Sequence, residues 1–423
     1  MAKNKKEMTP EERLAAALVP EEEQPYELPK GWKWVRIGKI FIDVTDSQKK
    51  IKQKEYLLKG KWPVIDQGQH FIGGYSDADE LIYTDELPVI IFGDHTRNVK
   101  YIDFQFIQGA DGVKVLKPQS FIYSKFLFWL LKGLPFPSLG YRRHFPVLKK
   151  MFAPLPPLDE QQRLVARIES LFTKLDAAKA KVQAVLDSHE ARKAALLHDA
   201  FAGKLTAKWR DGQSTKIFSW KTISFEDCIE KMQNGLSKRR GDAGEYVNVL
   251  RLTNIASEGL SFQDMRKILL TPDEKKKYKL APEDVLMVRV NGSKDNVGKQ
   301  LYIDKKDADN QLTFCDHLIR IHYNEQLVAP RFMVYFSHTM QYKSYVEKNM
   351  VSSAGQNTIS RKGMKNLSLM LPSLPEQQRI VRILDRLLAR EQRARQAAAA
   401  TLAAIDSMKQ SILARAFHGE LGA

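Results

Sequence analysis

The sequence predicts an α+β chain in which two mixed α/β regions alternate with two long antiparallel coiled-coil helices related by pseudo-two-fold symmetry. The first observation behind this is a duplication. Residues 155–180, LPPLDEQQRLVARIESLFTKLDAAKA, realign without a gap on residues 371–396, LPSLPEQQRIVRILDRLLAREQRARQ, at an offset of 216. The same offset holds to the paired endings AFAGKLTA (200–207) and AFHGELGA (416–423). The second observation is that the stretches in front of the two copies are far less alike. A chain ordered variable, constant, variable, constant suggests two different readers on one repeated frame. At 423 residues it also exceeds one ordinary core. The expected divisions are an N-terminal helical arm (1–30), a first mixed region (31–154), a first helix region (155–207), a second mixed region (208–370) and a second helix region (371–423).

In the arm, Thr9-Pro10-Glu11-Glu12 has the form of a capping box with proline at the first helical position. It predicts a short helix to about Val19, with Leu14, Leu18 and Val19 on its apolar face, tethered outside any domain core. In the first mixed region, Trp34–Ile37, Val89–Phe92 and Val113–Leu116 are β-branched or aromatic runs between glycine turns and predict strands. Phe121–Leu131 predicts a buried helix. Tyr246–Leu250, Val285–Val290 and Leu318–Ile321 predict strands in the second region, and Pro330–Ser337 its helix.

Asp159 is positioned to cap a helix from Glu160 to about Ala200, roughly 60 Å at 1.5 Å rise per residue. Leu164, Ile168, Leu171, Leu175, Ala178, Val182 and Val185 form a heptad seam. The second copy repeats it at Ile380, Leu384, Leu387, Ala394, Ala398, Ile405 and Met408, with Glu391 weakening one position. Two such seams can bury each other as an antiparallel pair.

Hydrophobic content of 43% and charged content of 28% fit a globular protein, and a net charge of +17 favours a polyanionic partner, most often nucleic acid. The two cysteines, Cys228 and Cys315, lie in no CxxC, which fits reduced thiols in a cytoplasmic protein. The N-terminal residues lack the apolar core of a signal peptide, and no run approaches 18 apolar residues, so no membrane association is expected.

Motifs for catalysis are missing: there is no GxxxxGK[ST], GxGxxG, HExxH, GxSxG or Asn-Pro-Pro. No enzyme activity, metal or cofactor is therefore expected of this chain. Asp94-His95 reads as a polar turn after a buried strand, and His317, His322 and His338 as packing or hydrogen-bonding residues. Basic polar loops are the stronger signal. They combine cations for phosphates with Arg, Asn and Gln, the residue types that contact base edges bidentately. In the first mixed region the candidates are Lys49, Lys50 and Lys52, then His95, Thr96 and Arg97, then Arg142 and Arg143 beside Tyr141. In the second they are Ser237, Lys238, Arg239 and Arg240, then Arg289, Asn291, Ser293 and Lys294, then Gln356, Asn357 and Arg361. At the 216 offset, 142–150 falls on 358–366, so both regions place a basic stretch just before the repeated segment. The duplicated face of Gln161, Gln162, Arg163 and Arg167, with Gln377, Gln378, Arg379 and Arg382, is a candidate protein interface.

LPPLDEQQRLV and LPSLPEQQRIV, each opening a long helix, resemble the conserved regions of type I restriction–modification specificity (S) subunits, as do the endings AFAGKL and AFHGEL. WPVIDQGQ (62–69) with VIIFGDHTR (89–97), and NVLRLTNI (248–255), resemble target recognition domains, which adds Gln69 to the candidate DNA contacts. The likeness covers nearly the whole chain from about residue 31. It implies that each recognition domain reads one half of a bipartite, asymmetric double-stranded DNA target. It also implies that the paired helices set the gap between half-sites and dock two methyltransferase (M) subunits, which in turn carry motor–nuclease (R) subunits. S-adenosylmethionine, ATP and Mg2+ would then act on the partners. The arm is expected beside the C-terminal tail. The rival readings are a coiled-coil scaffold without specific DNA reading and a self-sufficient nuclease or methyltransferase.

Overall fold

A computed structural model describes residues 8–136, 142–212, 220–256 and 259–421. They fall into two compact units, one of Met1–Ala184 with Ala399–Ala423 and one of Val185–Ala398.

The first unit is built on two four-stranded sheets. One runs Phe41–Asp43, Val113–Pro118, Val89–Gly93, Val99–Ile102, antiparallel throughout. The other runs Lys50–Ile51, Ile107–Gly109, Trp62–Ile65, Gly74–Ser76, with its first two pairings parallel. Val89–Gly93 is buried along its whole length, as a central strand covered on both faces requires. The helix Ser124–Gly133 covers one side with Phe126, Leu127 and Leu130, and this core continues into Leu164, Val165, Ile168, Leu413 and Phe417 of the long helices.

The second unit repeats this plan with different side chains. Its four-stranded antiparallel sheet runs Ile229–Asn234, Leu318–Tyr323, Val285–Val288, Gln300–Tyr302. A smaller sheet runs Leu312–Phe314, Glu245–Leu250, Arg266–Leu270, with one parallel and one antiparallel pairing. Each unit also has a two-stranded ribbon leading into its long helix: Lys33–Arg36 with Phe152–Leu155, and Lys221–Ser224 with Ser368–Leu371. The helical turns Phe145–Leu148 and Arg361–Met364 precede those strands at the same 216 offset, so the structural repeat starts earlier than the sequence repeat.

The long helices are Leu158–Asp187, His189–Phe201 and Leu374–Phe417. In the first unit Asp176 pairs with Lys409 and Lys179 with Asp406 at 2.7 Å; three residues up one helix is three down the other, an antiparallel ladder. In the second unit Arg192 reaches Glu391 at 2.7 Å.

Several expectations need correction. The first helix starts at Leu158, so Asp159 lies inside its first turn, bonded to Arg163, and does not cap it. The first repeat copy also breaks at Ser188, whereas the second is continuous. Ala178, Val185, Ala394 and Met408 are exposed; two helices facing each other bury one narrow line, and a strict heptad drifts off it. Glu391 is tolerated in the seam because Arg192 neutralises it. In the arm the capping box is present, but its helix is only Pro10–Ala15. Beyond it the chain is no free tether. Val19 donates to Trp34 O and Arg36 to Ala17 O, adding an edge to the Lys33–Arg36 ribbon, and Ala17 and Val19 are buried. Leu18 points outward. Tyr26 stacks on His418 at 4.9 Å, which sets the arm beside the C-terminal tail.

Candidate nucleic-acid interface

In each unit hydrogen bonds and ion pairs tie several of the predicted basic loops together beside the ends of sheet strands. In the first, the pivot is Gln67, just beyond the strand Trp62–Ile65. Its Oε1 accepts from the His95 N–H at 3.1 Å and its Nε2 donates to Asp111 O at 2.9 Å. Its carbonyl accepts from Thr96 Oγ1 at 2.6 Å and Asn98 Nδ2 at 2.8 Å. One side chain and its peptide thus lock the 94–98 turn to the 66–70 loop. Gly112 sits at φ +74°, a left-handed backbone in which a side chain is strained, and a Cβ there would also crowd Gln67 Nε2 at 2.6 Å. Asp94 ties in the third segment: its Oδ1 accepts from the Phe145 N–H at 2.7 Å and its backbone O from the His144 N–H at 2.8 Å. A buried carboxylate bonded this way is a structural anchor, which accords with reading Asp94-His95 as a turn.

His95, Thr96, Arg97, Arg142 and Arg143 are therefore brought together, with Arg97, Arg142 and Arg143 exposed. Tyr141 lies outside the described residues. Lys50 joins through the strand Lys50–Ile51, which pairs with Ile107–Gly109, and reaches Asp111 at 3.6 Å. Lys49 is half-buried in a turn organised by Asp46, and Lys52 is exposed just beyond the strand. Gln69 is exposed on the 66–70 loop. That loop is held from beneath by Lys100, buried with its ammonium 2.6 Å from His70 O and 3.5 Å from Asp66.

The second cluster is organised by the turn 315–317. Leu236 donates to Phe314 O and its own carbonyl accepts from the Asp316 N–H, while the N–H groups of Arg289 and Val290 both turn to His317 O. Ile359 donates to Arg289 O, and Arg361 Nη2 to Asn234 Oδ1 at 3.1 Å. The loops 234–240, 289–294 and 356–361 thus share one edge. Gly235 makes this possible: a Cβ there would lie 2.2 Å from Cys315 O. Beside the loop opens a cleft of about 470 Å³ walled by Lys238, Arg239, Arg251, Arg266 and His317. Arg251, Arg266 and His317 escaped the sequence reading as contacts because isolated polar residues carry no motif, although Arg251 lies inside NVLRLTNI.

Ser237, Arg239, Arg240, Ser293, Lys294, Gln356 and Arg361 are exposed, and Arg289 is half-buried. Lys238 is drawn to Glu274 at 2.6 Å, and its hydrogen bond holds that carboxyl below the ordinary range. Asn291 spends its Oδ1 on the Ser293 N–H at 2.9 Å. Asn357 is corrected from a base contact to a hairpin rivet. It is buried, its Nδ2 donates to Gly292 O at 2.9 Å and Asn291 O at 3.3 Å, and its Oδ1 accepts from Ser352 at 2.6 Å.

A second correction concerns the repeated glutamines. Gln161 is buried: its Oε1 accepts from the Tyr123 N–H at 2.8 Å, and its Nε2 donates to Phe121 O and Pro156 O. Gln377 is buried too, accepting from the Ala329 N–H at 2.8 Å and donating to Leu327 O and Pro372 O, both at 2.9 Å. Each latches the long helix to the N-cap residue of the helix packed on its sheet. Neither is free for a partner, whereas Gln162, Arg163, Arg167, Gln378, Arg379 and Arg382 are exposed.

Cys315, Asp316 and His317 cluster with Sγ 3.8 Å from Nδ1, but burial raises the Cys315 thiol, the opposite of what a metal thiolate needs. No described helix is long and apolar enough to cross a membrane.

The family model described as type I restriction modification DNA specificity domain matches residues 29–187 and again 220–398. The chain is 34% identical over 270 residues to the StySPI type I restriction enzyme specificity subunit of Salmonella potsdam, covering 64% of this chain and 58% of that relative. It is 26% identical to the EcoKI specificity subunit of Escherichia coli K12, over 94% and 90% of the two chains. The crystal structure of the HsdS subunit from Thermoanaerobacter tengcongensis superposes with a TM-score of 0.58 at 18% identity, over 95% of this chain and 100% of that one. A chain from a structural study of type I restriction–modification complex assembly and conformational transition gives 0.63 at 19%, over 94% and 100%. At these identities the structural likeness concerns the fold.

Proposed function

Because the chain belongs to the type I restriction–modification DNA specificity family, we propose that it is the non-catalytic sequence reader of such a complex, each mixed α/β region gripping one half of a bipartite duplex target. The observation that carries this reading is that both units gather separate basic loops onto one strand edge, with different side chains in each. Arg97, Arg142 and Arg143 form one such set; Arg239, Arg240, Arg289 and Arg361 form the other. A common scaffold with unlike reading residues is what an asymmetric target requires. The helices then act as the spacer between half-sites. Their exposed Gln162, Arg163, Arg167, Gln378, Arg379 and Arg382 offer docking surface to two methyltransferase subunits, which recruit the motor–nuclease subunits. S-adenosylmethionine, ATP and Mg2+ serve on those partners.

The test is half-site discrimination by the chain assembled with its methyltransferase partner. Arg239→Ala or Arg289→Ala weakens and relaxes one half-site by about 1–3 kcal/mol where the contact is bidentate, and Arg97→Ala affects only the other. Equal loosening of both halves contradicts modular reading. Absence of measurable duplex binding favours the scaffold alternative.

A further inference from the structure

The second unit carries a small ribbon apart from its larger sheets. Val351–Ser353 pairs antiparallel with Gln356–Thr358, whose other edge pairs with Val290–Asn291, so Val351–Ser353 is the outer strand. Two residues turn the chain, Ala354 at φ +46° and Gly355 at φ +75°, both left-handed as a type I′ hairpin requires. A Cβ built on Gly355 would meet nothing within 4 Å. The tip is therefore backbone and one methyl group, small enough for close approach to a groove floor.

Directly opposed residues share a face of such a ribbon. Ser352 and Asn357 share one, where Asn357 is buried and riveted to Asn291 O and Gly292 O. Val351, Ser353, Gln356 and Thr358 therefore lie on the other. Val351 is 68% exposed there, and Ser353 and Gln356 are exposed with it. The base of the hairpin is fixed, since the buried Ile359 donates to Arg289 O. Lys294 and Arg361, each just beyond a strand of the ribbon, are exposed and add positive charge near that base. Strands about 4.8 Å apart make a ribbon that the roughly 12 Å major groove of duplex DNA admits and the roughly 6 Å minor groove does not. Three residues per strand reach about 10 Å, against a major-groove depth of about 8.5 Å.

We propose that the hairpin 351–358 enters the major groove of the half-site gripped by the second unit, where Gln356 and Val351 determine specificity. The Gln356 amide bonds N6 and N7 of one adenine, and the Val351 methyl groups pack on the C5-methyl of a thymine. Val351 faces Thr358 and Gln356 faces Ser353, so Val351 and Gln356 are diagonal neighbours. Diagonal neighbours lie about 7–8 Å apart, which places the two contacts about two base-pair steps from each other at about 3.4 Å per step. Ser353, beside Gln356, bonds any base edge and adds no discrimination. The inference rests on the DNA-reading role proposed above and names the element and the bases for one half-site.

The experiment measures duplex affinity of the full chain assembled with its methyltransferase partner, on its mapped target, with the second unit's half-site assigned by Arg239→Ala. Gln356→Ala is expected to weaken binding about 10- to 100-fold. In the unaltered chain, 7-deazaadenine at one adenine of that half-site costs at least about fivefold and adds nothing further to Gln356→Ala. Uracil in place of one thymine, about two steps away, costs about threefold and adds nothing further to Val351→Ala. The same analogues in the other half-site are indifferent to both variants. Analogue effects that add to those of the hairpin variants would overturn the inference. So would a half-site that Arg239→Ala weakens and both hairpin variants leave intact, and either result leaves the DNA-reading role standing. An unaltered chain that binds no duplex would overturn both.

Discussion

Arg210 and Glu376 form an ion pair with both side chains essentially buried, the guanidinium also donating to Gly203 O and to Thr206 Oγ1, and the carboxylate also accepting from Trp220 Nε1 at 3.1 Å. The pair closes the second unit where the segment after His189–Phe201 meets the start of Leu374–Phe417. Glu376 belongs to the repeated Glu-Gln-Gln-Arg motif, yet its first-copy counterpart Glu160 is only half-buried. The motif is thus put to different structural use in the two units.

Breaking this pair strands a buried cation. Glu376→Gln is expected to destabilise the second unit by about 3–5 kcal/mol, and Glu160→Gln to change the first by much less. Chemical denaturation of each variant, with tryptophan fluorescence following Trp220, measures the difference. Equal effects at the two positions would remove the distinction drawn here.

The glutamine latches make a matched prediction. Gln161→Ala leaves the Tyr123 N–H and two carbonyls without their partner, as Gln377→Ala does for Ala329, Leu327 and Pro372. Each costs about 1–3 kcal/mol. The loss is local first, so hydrogen exchange at Tyr123 or at Ala329 should accelerate in the corresponding variant only. A glutamine on a docking surface would instead alter methyltransferase affinity and leave exchange unchanged.

His338 gives a pH signature. Its imidazole titrates at about 4 in the fold against an ordinary value of 6.5, so below 6.5 the unfolded chain binds the proton more readily. The contribution to stability is complete above the ordinary value and is lost progressively as pH falls towards the folded one, to a total of up to about 3 kcal/mol. His338→Leu should flatten that part of the stability curve. An unchanged acid limb in the variant would assign the loss to other groups.

Much of the frame was legible in the sequence because it rests on periodicity: the duplication, the apolar runs Val89–Phe92 and Leu318–Ile321, and the Thr9 capping box all appear in the structure. What escaped was the fate of individual polar groups. Gln161, Gln377 and Asn357 look like surface residues in a sequence, since an amide satisfied by backbone in the interior carries the same letter as one satisfied by water. Gln67 and Asp94 organise the first cluster through side-chain bonds to segments 28 to 51 residues away, and no local pattern announces that. The break at Ser188 was hidden for a similar reason: Arg192 donates to Val185 O at 3.0 Å, a side chain replacing a helical bond.

The proposed spacer role makes a prediction in base pairs. Because Asp176 faces Lys409 and Lys179 faces Asp406, residues 173–179 lie opposite 406–412. Deleting both heptads together removes facing turns, while Ile168, Phe172 and Leu413, which flank the deleted turns, keep their packing and register. Seven residues at 1.5 Å rise shorten the pair by roughly 10 Å, and at about 3.4 Å per base pair the gap between half-sites should contract by about three. Methylation mapping on a library of targets with varied gaps reads this directly. The expected outcome is the two original half-sites at a shorter separation. Retention of the original gap would exclude the helices as the ruler, and loss of one half-site would show that the deletion had damaged a reading domain.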